Sequence, residues 1–139
     1  MSKPDLDVAE TASLAVKGPG RFAYDGLERA IHEKARLGIM ASLSTHPKGL
    51  LFGNLKDLCA LTDGNLSRHL HVLHEEGLVE VWKGYQKKRP QTLCRLTDEG
   101  RRRFLEYITE LENVIADAVA ASRIATESSP GLTEGWSPA

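Results

Sequence analysis

The stretch LTDGNLSRHLHVLHEEG, residues 61–77, places His69, His71 and His74, three of the five histidines of a 139-residue chain, within six positions. Such a cluster can be a metal site, a catalytic group or the outward face of a helix, and side-chain direction decides among these. At about 100° per residue, Leu66, Leu70 and Leu73 fall within about 60° of one another and form a buried stripe. Gly64, Arg68, His71 and Glu75 point the opposite way, with Asn65, Ser67 and Val72 flanking them. His69 and His74 fall on opposite shoulders of the leucine stripe. Ligands of one zinc must all lie ~2 Å from the ion, so these three imidazoles cannot meet on a single metal within this helix.

The flanking residues define the helix and its neighbours. Thr62 is a suitable N-cap and Gly77 a left-handed terminator, giving a helix over 63–76. A short helix over 53–59 precedes it, with Leu55, Leu58 and Cys59 on one side. Farther upstream, Leu27, Ala30, Ile31, Ala35, Ile39 and Leu43 recur at three- and four-residue steps, predicting a helix over about 24–45 that His46-Pro47-Lys48-Gly49 ends. Leu50-Leu51-Phe52 is long enough only for a connector or a small strand. Downstream, LVEVWKG alternates as a strand, YQKKRP is a polar loop in which Gly84 supplies the bend, and QTLCRL is a second strand. Val79, Val81 and Leu96 are core positions. Thr97-Asp98-Glu99 caps a last helix over about 98–123. Its residues Phe104, Ile108, Leu111, Ile115, Ala118 and Ser122 step by 4, 3, 4, 3 and 4, a heptad-like seam. The fold class is mainly α with a small β-hairpin: a winged helix-turn-helix with long terminal dimerisation helices.

Composition narrows the function. Apolar residues make up 41% and charged residues 27% of the chain, with a net charge of −1, as in an ordinary globular protein. From Pro47 to Arg103 there are 11 Lys/Arg against 7 Asp/Glu, and 7 against 12 elsewhere, so the middle of the chain is basic. No apolar run approaches the ~18 residues of a membrane span, and the N-terminus lacks the pattern of a secretory signal; the expected location is cytoplasmic. Cys59 and Cys94 read as plain core cysteines. Residues 1–20 read as a flexible arm, 21–125 as one domain, and 126–139 as a disordered tail. No catalytic triad, phosphate loop or convergent carboxylate pair is present, so no enzyme, cofactor or metal site is expected.

RAIHEKARLGIMASL, LTDGNLSRHLHVLHEEGLVEV and KGYQKKRPQTLCRLTDEGR together resemble the small winged-helix transcriptional regulators related to the MarR and ArsR families, over about Leu27 to Ile115. The resemblance implies a dimeric, sequence-specific DNA-binding repressor or activator, a repressor being the favoured reading. Helix 63–76 would enter the major groove, and the basic wing at 84–90 would lie on the backbone or minor groove. The DNA-contact candidates are Thr62, Gly64, Asn65, Ser67, Arg68 and His71 on the helix and Lys83, Tyr85, Lys87, Lys88 and Arg89 on the wing. Arg68 suits guanine and Asn65 adenine. The dimerisation candidates are Leu27, Ile31, Phe104, Ile108, Leu111, Ile115 and Val119. The expected partners are double-stranded DNA with an inverted-repeat operator and a second copy of the chain, with a small-molecule effector of unspecified identity. The cysteine-containing box of thiol-based metal sensors is missing, since Cys59 stands alone in LKDLCAL. A winged helix that binds protein, or a metal- or ligand-sensing repressor, are the alternatives. Arg101, Arg102 and Arg103 oppose the dipole of the last helix, so at least one of them needs a carboxylate or a phosphate.

Overall fold

The computed structural model describes residues 18–125 and 133–139. Most of the expected arm and the first part of the tail lie outside these residues. Among these residues four helices and a three-stranded antiparallel sheet follow one another: α1 (Lys34–Ser44), β1 (Leu50–Leu51), α2 (Phe52–Cys59), α3 (Asp63–Glu75), β2 (Val79–Gln86), β3 (Arg89–Leu96) and α4 (Asp98–Ala125). The strand order is β1-β3-β2. Leu50 and Leu51 pair with Cys94 and Leu93, and β2 pairs with β3 from Val79↔Leu96 out to Gln86↔Arg89. Leu50-Leu51 is thus the small strand, too short to stand alone but completing the sheet edge beside β3.

The core gathers the apolar faces of these elements. Ile39, Met40 and Leu43 of α1, Leu55 of α2, Leu66, Leu70 and Leu73 of α3, Leu78, Val79, Cys94 and Leu96 of the sheet region, and Phe104 and Tyr107 of α4 are buried. Val81 is half-buried against them. Cys94 faces Val81 across the ladder, and burial pushes its thiol up to about 11. Both cysteines are free, Cys59 half-buried with its Sγ 3.6 Å from Ser42 Oγ. Leu58, expected beside Leu55 and Cys59, is exposed instead, because only the Leu55 side of α2 is pressed into the core.

The helix expected over 24–45 is shorter: α1 begins at Lys34, and residues before it form successive turns. Leu27, Ala30 and Ile31 do pack inward, so the apolar spacing reported burial correctly but not helix. Tyr24 takes a left-handed φ of 50°, and turn bonds such as Leu27 N–H to Tyr24 O at 2.8 Å and Ile31 N–H to Glu28 O at 3.0 Å replace a helical ladder. Arg36 Nε takes the Ala30 carbonyl at 2.7 Å, an acceptor that a continuous helix would give to the amide of residue 34. Glu33 is extended, and its Oε1 accepts from Ala35 N at 2.6 Å as the true N-cap. A side-chain cap therefore starts the helix a few turns later than the apolar pattern does.

The hairpin also differs from expectation. YQKKRP is not a long loop: the ladder runs to Gln86↔Arg89, and only Lys87 and Lys88 lie between the strands. Both have positive φ, 52° and 65°, the two-residue turn that matches the twist of a hairpin. Gly84 sits within β2 opposite Gln91 and is not the bend. Two lysines in left-handed conformation cost roughly 1–2 kcal/mol each.

Capping of α3 and α4 follows the sequence closely. Thr62 Oγ1 accepts from Asn65 N at 3.2 Å, and Gly77 follows the α3 terminus with φ 75°. Thr97 joins the two helices: its hydroxyl donates to Gly77 O at 2.6 Å and accepts from Gly100 N at 2.8 Å. Gly100 is buried where a Cβ would stand 1.9 Å from Leu78 O, so only glycine allows the start of α4 to lie against the end of α3. Arg102 pairs with Glu99 and Glu106, and Arg103 bonds Glu28 and the Glu76 carbonyl. Of the three arginines that oppose the helix dipole, Arg102 and Arg103 are thus answered by carboxylates within the chain.

Candidate nucleic-acid interface

α3 is positioned by its leucines. Leu66 and Leu73 are fully buried and Leu70 nearly so, which turns Gly64, Ser67, Arg68 and His71 outward to solvent and leaves Asn65 half-buried. Arg68 NH2 donates to Asn65 Oδ1 at 2.8 Å. That bond holds the guanidinium over the first turns of the helix and leaves the Asn65 amide group as a donor. Thr62 is spent on the cap, and Lys56 pairs with Asp63 at 3.1 Å across the turn between α2 and α3.

The histidines separate as their directions require. His71 and His74 are exposed, while His69 is largely covered, its Nδ1 3.2 Å from Glu33 Oε2 and 3.5 Å from an Arg36 nitrogen. Glu33 Oε2 is buried without a hydrogen bond of ordinary geometry, with an Arg36 nitrogen 3.7 Å away as its other ion-pair partner. An orphan carboxylate oxygen is costly, so the Nδ1 proton belongs toward Glu33, and Arg36 cannot donate to that nitrogen at the same time. His69 therefore ties α3 to the start of α1. Among the described residues, no three His, Cys, Asp or Glu side chains form a metal site.

The wing extends β2 and β3 beyond the core. Lys83 and Tyr85 lie on the face that begins with Val79 and Val81, opposite Thr92 and Pro90. Lys83 Nζ donates to Thr92 Oγ1 at 3.3 Å. Lys87, Lys88 and Arg89 form the exposed tip. Tyr85 stands 81% exposed, too free to act as the internal brace of a hairpin. On the opposite face Arg95 covers the exposed Trp82 ring and bonds Glu80. The Arg95 guanidinium beside Glu80 holds its carboxyl below the usual range.

Of the predicted residues, the structure brings Ser67 and His71 of α3 and Lys83 of the wing together on one cleft between α3 and the wing. Sequence direction alone did not disclose His74 and Thr92, which line the cleft between the two. The signal for His74 was its position on the Ser67 shoulder of the leucine stripe; for Thr92, only the strand register reveals it. Of the dimerisation candidates, Ile31 and Phe104 are buried within the chain, Leu27, Ile108 and Leu111 are partly buried, and Ile115 and Val119 are exposed.

A short helix, a turn, a second helix capped by Thr62 and a basic hairpin define a winged helix-turn-helix. The family model for the winged helix DNA-binding domain matches residues 35–115, and the chain belongs to that family. It is 31% identical to a transcriptional regulator homologue from Pyrococcus horikoshii, covering 66% of this chain and 89% of that one with a TM-score of 0.62. The Mycobacterium tuberculosis transcriptional regulator MosR, solved in complex with DNA, shares the fold at 22% identity and a TM-score of 0.55, over 86% and 88% of the two chains. An uncharacterized protein of Methanocaldococcus jannaschii is 45% identical over 60 residues, 43% of this chain. The match spans 65% of the length of that relative. The first of these structures is a transcriptional regulator homologue and the second a transcriptional regulator, in line with the winged-helix regulators that the sequence resembles.

Proposed function

We propose that this winged-helix protein is a homodimeric, sequence-specific transcriptional regulator, a repressor by preference, acting in the cytoplasm. One observation carries the reading: a helix whose back is fully buried presents Asn65, Ser67, Arg68 and His71 beside a basic two-stranded wing. In this reading α3 enters the major groove, where Arg68 reads guanine and Asn65 adenine or a phosphate. Lys83, Tyr85, Lys87, Lys88 and Arg89 hold the flanking backbone or minor groove, and Thr62 and Gly64 approach the phosphates at the helix start. Among the described residues, Lys87, Lys88 and Arg89 enter no ion pair, which leaves these charges for phosphates.

Dimerisation rests on α4. Its 28 residues span about 42 Å, but its buried residues are Gly100, Phe104 and Tyr107. Ile115 and Val119 continue the apolar face into a region where the described residues supply little cover. A second copy packed there, with Ile108 and Leu111 contributing their free edges and Leu27 the flank, gives a two-fold dimer. Ile31 and Phe104 support that surface from within. Such a dimer calls for an inverted repeat with half-site centres about one helical turn, ~10 bp, apart.

Selection of bound duplexes from random DNA, repeated at two salt concentrations, tests the reading. Affinity should fall steeply with salt, by roughly one log-log unit for each phosphate contacted. Arg68→Ala should cost about 1–3 kcal/mol on the selected site and relax preference at one base pair, whereas Lys87→Ala should weaken all duplexes alike. Equal losses for Arg68→Ala on selected and random DNA would make that residue a phosphate clamp. A second reading, a winged helix that contacts protein, is favoured by the exposed Trp82 on the far face of the wing. Absence of duplex binding at both salt concentrations would support it.

A further inference from the structure

Between α3 and the wing lies an open cleft of about 260 Å³. α3 lines it with Ser67, His71 and His74, β2 with Lys83 and β3 with Thr92, over an apolar floor that includes Leu70. No carboxylate is among its lining residues. His71 and His74, one turn apart, share this wall although the helix directs one outward and the other to a shoulder, because the wing rises on that side. The only other formal charge in the cleft is the Lys83 ammonium. Arg68 and Glu75 flank His71 on the exposed face of the same helix, and the lining residues from α2 and β3 are uncharged.

The geometry of duplex DNA says what must cross this gap. Major and minor grooves are separated by a sugar-phosphate strand, so a helix in one and a wing on the other straddle that strand. We propose that the cleft is a phosphate seat in which His71 and His74 grip the intervening strand as imidazolium ions, making DNA binding proton-linked. The proposal rests on the DNA-binding reading above. Lys83 supplies a permanent charge, and the Ser67 and Thr92 hydroxyls supply neutral donors to the same phosphodiester. A neutral imidazole offers one N–H, whereas its protonated form offers two and a positive charge. Imidazole is the side chain that ordinarily changes charge between pH 5 and 8. A ligand that favours the protonated form binds more tightly as pH falls through that range. His74 becomes a DNA-contact residue by this argument, beyond those identified from helix direction.

The test measures dissociation constants of the full chain for a duplex selected from random DNA, at pH 6.0 and 8.0 and fixed ionic strength. The wild-type chain should bind several-fold more tightly at the lower pH, since one proton held about tenfold more tightly in the complex than in the free chain gives at most about tenfold for each histidine. His74→Gln should reduce that gain, and His71→Gln with His74→Gln should nearly abolish it, whatever the double variant does to the affinity at pH 8.0 itself. His46→Gln, altering an exposed histidine outside the cleft, should keep the full gain. Circular dichroism confirms that each variant is folded, and both cleft histidines are exposed enough to be replaced. The proposal is overturned if the wild-type chain binds equally at both pH values, or if the double variant retains the gain. Failure to bind any duplex at either pH would instead remove the DNA-binding reading, and the phosphate seat with it.

Discussion

α3 and α4 carry the same kind of apolar seam and use it differently. Along α3 the whole stripe is covered: Leu66, Leu70 and Leu73 meet α1, β2 and the rest of the core. Along α4 the cover is partial. Phe104 and Tyr107 are 6% and 1% exposed, whereas Ile115 and Val119 are 55% and 49% exposed. One helix spends its apolar face on the fold and offers a polar face outward; the other keeps apolar surface in reserve. Periodicity measures which residues share a face, and only the surrounding chain decides whether that face is core or interface.

Leu66→Ala attacks the covered helix and should have the largest effect. The side chain is fully buried, so the loss of transfer energy and the cavity left behind should together cost about 2–5 kcal/mol. Urea denaturation should show it as a lower midpoint with an unchanged slope. A cost below about 1 kcal/mol would mean that the back of α3 is less closely packed than its burial indicates.

His69 sharpens the comparison, because α3 has a polar anchor in addition to its leucines. His69→Leu leaves the buried Glu33 Oε2 with the 3.7 Å Arg36 ion pair alone and should cost about 1–3 kcal/mol, the range for a buried polar group left unsatisfied. His69→Asn places an amide N–H near the Nδ1 position and should recover much of this. His69→Gln, whose amide reaches toward the Nε2 position, should recover less. Nitrogen NMR of the ring should find the proton on Nδ1 in the neutral form. Equal rescue by both amides would break the assignment.

Ile115→Asp with Val119→Asp is the converse substitution on α4. Both positions are exposed within one chain, so folding of the monomer should change by no more than about 0.5 kcal/mol per site. Self-association should be lost, because two charges would be buried at the centre of the apolar face. Sedimentation velocity separates the outcomes: a folded monomer supports the reserved face, and an unaltered dimer places the interface elsewhere.

The sequence was most legible where a single residue has one local task. Thr62 capped, Gly77 terminated, and the three leucines of α3 fixed the direction of every side chain on that helix. It was least legible where distant residues compete for a local group. Nothing near Ala30 shows that Arg36 will take its carbonyl, or that Glu33 will cap a later helix, so apolar spacing alone extended α1 toward residue 24. Lys87-Lys88 concealed the wing tip for a related reason: a two-residue turn of this type ordinarily carries glycine or asparagine. The ladder beside it overrides that preference. In the interface, outward directions could be read for Arg68 and His71, but the cleft wall formed by His74 and Thr92 exists only once the hairpin has packed against α3.

The smallest expected effect concerns a long-range clamp on the exposed half of α4. Asp117 accepts a bidentate contact from Arg21, both bonds at 3.1 Å, and a hydrogen bond from Tyr24 at 2.7 Å. The Arg21 guanidinium and the Tyr24 hydroxyl hold the Asp117 carboxyl below its ordinary range, and the same contacts raise Arg21 and Tyr24. A carboxylate whose folded value is depressed contributes stability above its unfolded value and loses it as pH falls through the folded one. Because the clamp is exposed to solvent, the contribution is small and screened by salt. Amide exchange should therefore accelerate in residues 112–125 as pH drops below about 4, after correction for the intrinsic exchange rate, while α3 keeps its protection. Asp117→Asn should show the same local acceleration already at pH 7. If exchange in both helices rises together, acid is unfolding the whole domain, and the two halves of α4 are not separable in stability.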